Sequence, residues 1–195
     1  MTEYVKMKGK IYWAKVYEPD TAFGASNYKC DFAPENDEEW KKFKDSGIQK
    51  TIKEDPERGK YFQLARPDFK LINQAIVKFT GPVIEDKDGK TIVDYINTET
   101  GKRIFSYDSK DKDKVSRRGS PIIIGNGSTV EVRVAVYDTF KGKGHRLEGI
   151  KVLDLIEFKK EDRPLPELSD LVKKVNKEVE DIEVDEKGDA KKLPW

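Results

Sequence analysis

Lys6, Lys8, Lys10 and Tyr12 recur at every second position near the start of the chain. Residues at that spacing share one face of a strand, so three ammonium groups and a phenol ring come together. Arg133 and Tyr137 lie four apart in a second alternating run and share a face by the same rule. Just beyond it, Phe140-Lys141-Gly142-Lys143-Gly144-His145-Arg146 adds a ring and four potentially cationic groups. A row of cations follows a phosphate backbone, and flat rings stack on bases at about 1–3 kcal/mol each. The pattern therefore suits a single-stranded nucleic acid. A plainer reading stands beside it, a solvated sheet face carrying ordinary lysines. Tyr61, Phe62, Arg66 and Tyr107 are further candidates for such contacts.

Other chemistry is weaker. Asp138 and Glu157-Phe158-Lys159 have the acid and acid-x-Lys order of metal-dependent nucleases. That order is frequent in a chain in which 38% of residues are charged. Gly125-Asn126-Gly127-Ser128 lacks the Gly-Lys-Ser/Thr of a phosphate loop. One cysteine (Cys30) and one histidine (His145) make neither an internal disulfide nor a Cys/His zinc site. Cys30 reads as a small core filler and His145 as a surface residue. No catalytic residue, metal or cofactor is expected, and the chain is not expected to be an enzyme.

The elements that must position these groups are mostly strands. Over 4–17, Val5, Met7, Ile11 and Trp13 form the apolar face opposite the lysines. Residues 28–32 and 60–66 are further strands, the latter stopped by Pro67, and 75–79 is another, stopped by Gly81-Pro82. Asp37 to Phe43 changes period: acids first, lysines after, Trp40 and Phe43 three apart, and Gly47 closing a short helix. Residues 84–118 read as a long excursion with one hairpin, 92–96 against 103–107, and a mobile stretch over 108–118. Gly125-Asn126-Gly127 is a turn. Val130, Val132, Val134 and Val136 then alternate with Glu131, Arg133, Ala135 and Tyr137, and 146–158 is a long final strand. About seven strands and one or two short helices predict a mainly β fold, an OB-like antiparallel β-barrel.

Charge divides the chain in two. Residues 1–160 hold 31 basic and 26 acidic side chains, and residues 161–195 hold 7 basic and 11 acidic. The first part is the expected domain. The second begins with a linker, Arg163-Pro164-Leu165-Pro166, and Leu168, Leu171, Val172 and Val175 suit one amphipathic helix. Seven acids and one lysine over 178–189 suit a disordered tail. Such a tail either solubilises the protein or competes, as a tethered polyanion, for the basic face. No run approaches a membrane span and no signal-peptide core opens the chain, so a soluble cytoplasmic protein is expected, without a membrane partner.

The order Ile124-Gly125-Asn126-Gly127-Ser128-Thr129-Val130, the valine strand, the Gly/Lys loop, then Gly149-Ile150-Lys151-Val152-Leu153-Asp154-Leu155 resembles the phage single-stranded DNA-binding proteins with an OB fold, the replication proteins of short-tailed phages. The match is clearest over 118–158, with an echo in the first strand and in Tyr61-Phe62-Gln63-Leu64-Ala65-Arg66-Pro67. The resemblance implies sequence-independent binding of single strands in phage DNA replication or recombination. It also implies an acidic tail ending in an aromatic, here Trp195, that contacts replication proteins. Lys191, Lys192 and Pro194 depart from an acidic finish. The alternative class is a non-catalytic β-barrel interaction or virion module.

Overall fold

The computed structural model describes residues 2–119 and 122–158, and the expected linker, helix and acidic tail lie outside them. Twelve strands and one α-helix are present among the described residues. In chain order these are β1 (Thr2–Asp20), β2 (Asn27–Pro34), α1 (Asp37–Asp45), β3 (Lys53–Asp55), β4 (Gly59–Pro67), β5 (Phe69–Ile72) and β6 (Ala75–Phe79). Then come β7 (Val83–Glu85), β8 (Thr91–Asn97), β9 (Ser106–Asp108), β10 (Val115–Arg118), β11 (Ser128–Thr139) and β12 (Gly142–Asp154). Nine strands form one sheet in the order β10-β8-β7-β12-β11-β1-β2-β4-β3, and β5-β6-β9 form another. The mainly β class is as expected, but the ladder runs from one edge to the other and does not close into a barrel. Nor is it all antiparallel, since β12 pairs with β7 in parallel.

Alternation builds the core. Met7 and Ile11 on β1, Phe32 on β2, Phe62 and Leu64 on β4, the four valines of β11, and Ile150 and Val152 on β12 are all buried. Register keeps them on one face: Met7 lies opposite Val132, Ile11 opposite Phe32, and Phe32 opposite Phe62. Gly9 sits on β1 opposite Pro34 of β2, and a Cβ there would collide with the Ala33 carbonyl. The helix packs Trp40 and Phe43 against this layer. Asn36 caps it, accepting from the Glu39 N–H at 3.0 Å. Phe43 stacks on Phe62 with ring centroids 4.1 Å apart, and Trp40 meets both rings edge-on. Buried Glu39 accepts from the Lys8 backbone N–H at 2.9 Å and tethers the helix to β1.

Residues 84–118 are more ordered than their composition suggests. They supply β7, β8 and β10 to the main sheet, and the expected mobile stretch is the end of β9, a 3-10 turn and β10. β8 pairs along one edge with β10, and the expected hairpin partner 103–107 meets its other edge only briefly, through the antiparallel bridge Ile96–Arg103 and the Ile104 N–H donating to the Tyr95 carbonyl at 3.0 Å. Arg117 stacks over Tyr17 at 3.4 Å and donates to the Tyr17 carbonyl, which fastens this segment to β1.

Arg66 continues the inward row of Phe62 and Leu64, and so places a charge inside. Its guanidinium donates to the carbonyls of Thr80, Leu147 and Phe105 and to Glu148 Oε2, the last at 2.8 Å. Burial pushes its pKa below the usual guanidinium range, and the Glu148 carboxylate opposes that. Removing one member of a buried pair strands the other. Arg66→Met is therefore expected to cost about 3–5 kcal/mol in urea denaturation. Glu148→Gln, which retains an acceptor, should cost less.

Candidate nucleic-acid interface

The outward face of β1 and β11 carries the lysine row. Lys6, Lys8 and Lys10 are exposed. Lys6 lies opposite Arg133, Lys8 opposite Glu131 and Lys10 opposite Thr129, whose hydroxyl accepts from Lys10 Nζ at 2.8 Å. The stripe is thus cationic, with Glu131 as one interruption. Tyr12 continues it opposite Asp31, half-buried, and Tyr137 closes the other end opposite Thr2.

Strict alternation places Trp13 in the core, and the structure corrects this. A register shift between Tyr12 and Lys15 and a left-handed backbone at Trp13 (φ +50°) turn the indole outward, where it is 57% exposed. The Trp13 N–H donates to Asn126 Oδ1 at 2.8 Å, so the Gly125-Asn126-Gly127 turn holds that conformation. Tyr12, Trp13, Arg58 and Asn126 line an open cleft at this end of the stripe. Arg58 is heavily engaged there. It reaches Asp31 at 2.7 Å, Asp55 and the Tyr61 hydroxyl, and lies 3.9 Å over the Tyr61 ring.

Several expected contact residues are not available on this face. Phe62 is fully buried against Phe32, Phe43 and Trp40. Arg66 is consumed by its ion pair with Glu148. Tyr61 is buried beneath Arg58. Tyr107 lies on β9 in the second sheet, opposite Lys78.

The β11–β12 loop also presents less charge than its composition promises. Phe140 is 94% exposed, with Lys141 Nζ 5.3 Å from its ring. Lys143 pairs with Asp138 at 2.8 Å, and Arg146 pairs with Glu148. His145 is half-buried, and burial, with the nearby Lys50 charge, lowers its pKa to about 4. It is therefore neutral at physiological pH.

The nuclease pattern does not assemble. Asp138 lies near the end of β11, whereas Glu157 bridges Ile124, before β11 begins. At about 3.3 Å per residue the two ends are roughly 30 Å apart, too far to share a cation. Among the described residues no three His, Cys, Asp or Glu side chains cluster to hold a metal. Buried Cys30 has its thiol pKa pushed up by desolvation, consistent with a core filler. No helix among the described residues is long and apolar enough to cross a membrane.

Sequence reading missed Trp13, hidden by the bulge, and Tyr4, Arg103 and Phe105. The last three line a second cleft at the opposite end of the stripe, together with Arg133 and Glu148. Tyr4 shares the parity of Lys6, but Arg103 and Phe105 belong to the unassigned excursion.

No family model and no curated protein matches the chain. Among solved structures it is similar to the single-stranded DNA-binding protein of bacteriophage Enc34. For that protein in complex with ssDNA the TM-score is 0.41 at 8% identity, covering 79% of this chain and 88% of that one. For the same phage protein as a C-terminal truncation the TM-score is 0.40 at 8% identity, covering 79% and 87%. A third structure of it gives 0.41 at 11%, covering 86% and 90%. At that level the likeness assigns no residue of this chain to a site.

Half-buried, neutral His145 makes stability depend on pH. The unfolded chain takes up a proton near the ordinary imidazole pKa of 6.5, while the folded chain resists until about 4. Stability is therefore retained above 6.5 and lost progressively as pH falls through that window towards 4. Denaturation at pH 7 and pH 4.5 should show a smaller loss for His145→Gln than for the wild type.

Proposed function

We propose that the chain binds single-stranded DNA without sequence preference along the outward face of β1. The observation that carries this reading is the row Lys6, Lys8, Lys10 and Arg133, ended on each side by exposed rings, Trp13 and Tyr4. Phosphates track the cations, and unpaired bases offer faces that a duplex hides. Tyr12, Tyr137, Phe140 and Lys141 extend the surface, and Lys143 and Arg146 contribute once released from their carboxylate partners. On this reading the protein is not an enzyme. It protects single strands in phage DNA replication or recombination within the host cytoplasm. The segment beyond residue 160 modulates binding and contacts replication proteins.

Fluorescence titration with poly(dT) tests the reading. Four phosphate contacts should give a slope of log K against log salt of about −3, since each contact to a single strand contributes about −0.7. The double variant Lys8→Gln/Lys10→Gln should flatten that slope by about 1.4. Trp13→Ala should weaken binding by about 1–3 kcal/mol with the fold intact. Absence of binding at low salt would favour an interaction or virion module whose lysines only solvate.

The acidic segment generates a separate expectation. Deleting residues 178–195 removes seven acids tethered to a domain with five surplus bases. Affinity for poly(dT) should rise, most at low salt where the attraction is least screened. Equal affinity before and after deletion would leave the segment as a solubiliser or a docking peptide.

A further inference from the structure

The cleft at the Tyr4 end of the stripe has two walls from distant parts of the chain. One is the outward face of β1 and β11, with Tyr4 (63% exposed) and Arg133. The other is the segment that follows β8, with Arg103 and Phe105, the latter 50% exposed.

The backbone carrying this exposed ring is firmly held. The Phe105 carbonyl accepts from Arg66 Nη2 at 3.0 Å, from Thr80 Oγ1 at 3.1 Å and from the Thr80 N–H at 3.1 Å. The preceding Ile104 N–H donates to the Tyr95 carbonyl at 3.0 Å. A half-exposed ring on so constrained a backbone contributes little to the core, but it is preorganised for a flat partner.

Charge around the cleft is unbalanced. Arg66, Arg103, Arg133 and Arg146 act on one another there, against Glu148, Asp94 and Glu85. Glu148 is already occupied by Arg66 and Arg146. Arg103 lies 4.6 Å over the Phe105 ring, and its Nε is 3.1 Å from Asp94 Oδ1. That N–H is not aimed at the carboxylate, so buried Nε has no hydrogen-bond partner among the described residues. Burial and the neighbouring Arg133 both disfavour the Arg103 charge, while Asp94 favours it. An anion between the two arginines would relieve the strain.

We propose that this cleft is a nucleotide subsite in which Arg103 and Arg133 hold one backbone phosphate and the adjoining base lies against Tyr4 or Phe105. This rests on the reading that the chain binds single-stranded DNA, and it gives the excursion a role as the second wall of the groove. Tyr4 and Trp13 are nine residues apart on β1, so the two clefts bracket a track of roughly 30 Å.

Fluorescence anisotropy with labelled dT oligonucleotides of increasing length tests it. Arg103→Gln should lower affinity about tenfold and flatten the salt slope by about 0.7. Arg103→Lys, which keeps the charge and loses the fork, should restore the slope but only part of the affinity. Phe105→Ala and Tyr4→Ala, each removing an exposed ring, should together weaken binding at least about tenfold with an unchanged melting temperature. Suppose the wild type binds, Lys8→Gln/Lys10→Gln weakens it, and all the cleft variants bind like wild type. The subsite is then wrong and the lysine track stands. If the wild type binds no oligonucleotide at low salt, both fall together.

Discussion

A guanidinium placed where water does not reach must find all its acceptors in the protein, and Arg66 imposes that condition on four parts of the chain. β4 carries it, the Thr80 carbonyl lies just before β7, Phe105 belongs to the excursion, and Leu147 and Glu148 belong to β12. An uncompensated charge there would cost several kcal/mol. The main sheet does not close through backbone hydrogen bonds, yet this side chain holds β4 and β12 together. It also fixes the Phe105 backbone, so the same buried cation that ties the body together positions one wall of the second cleft.

β1 is where core and surface share a backbone. Met7 and Ile11 face in, and Lys6, Lys8 and Lys10 face out. A slip of one residue would exchange the two sets and bury three lysines. Gly9 adds a steric lock, since a side chain at that position would collide with the Ala33 carbonyl. The packing that protects the apolar face therefore also sets the spacing of the cations. The two bulges further along bend the strand and release Trp13 from the alternation.

How much of this was legible follows from what period two can encode. It placed the valines of β11 inward and the lysines of β1 outward, and charge order placed α1. It failed where the backbone departs from an ideal strand, as at Trp13 with its left-handed φ. It also failed at Arg66, because a charged residue in an inward position looks like a surface residue until its acceptors are known. Phe62 is inward by the same parity as Leu64, and its partners on α1 explain why it cannot stack on a base. The excursion misled by composition. Its lysines and aspartates resemble a loop, but Val93 and Ile84 are buried and the strands around them pair with each other. The parallel β7–β12 pairing has no local signature, since its partners are far apart in sequence.

The pairing of β1 with β11 joins the start of the domain to a strand more than a hundred residues later. Contacts that distant carry a large loop-closure cost before they return any stabilisation, and chains dominated by them fold slowly. On the ribosome, Met7 has no partner on β11 until Val132 has emerged. β2 is made soon enough to cover one edge of the first strand, but at about 5–20 residues per second the other edge stays open for several seconds. The alternating lysines serve a second purpose during that interval, because charge on every other residue opposes edge-to-edge association between nascent chains.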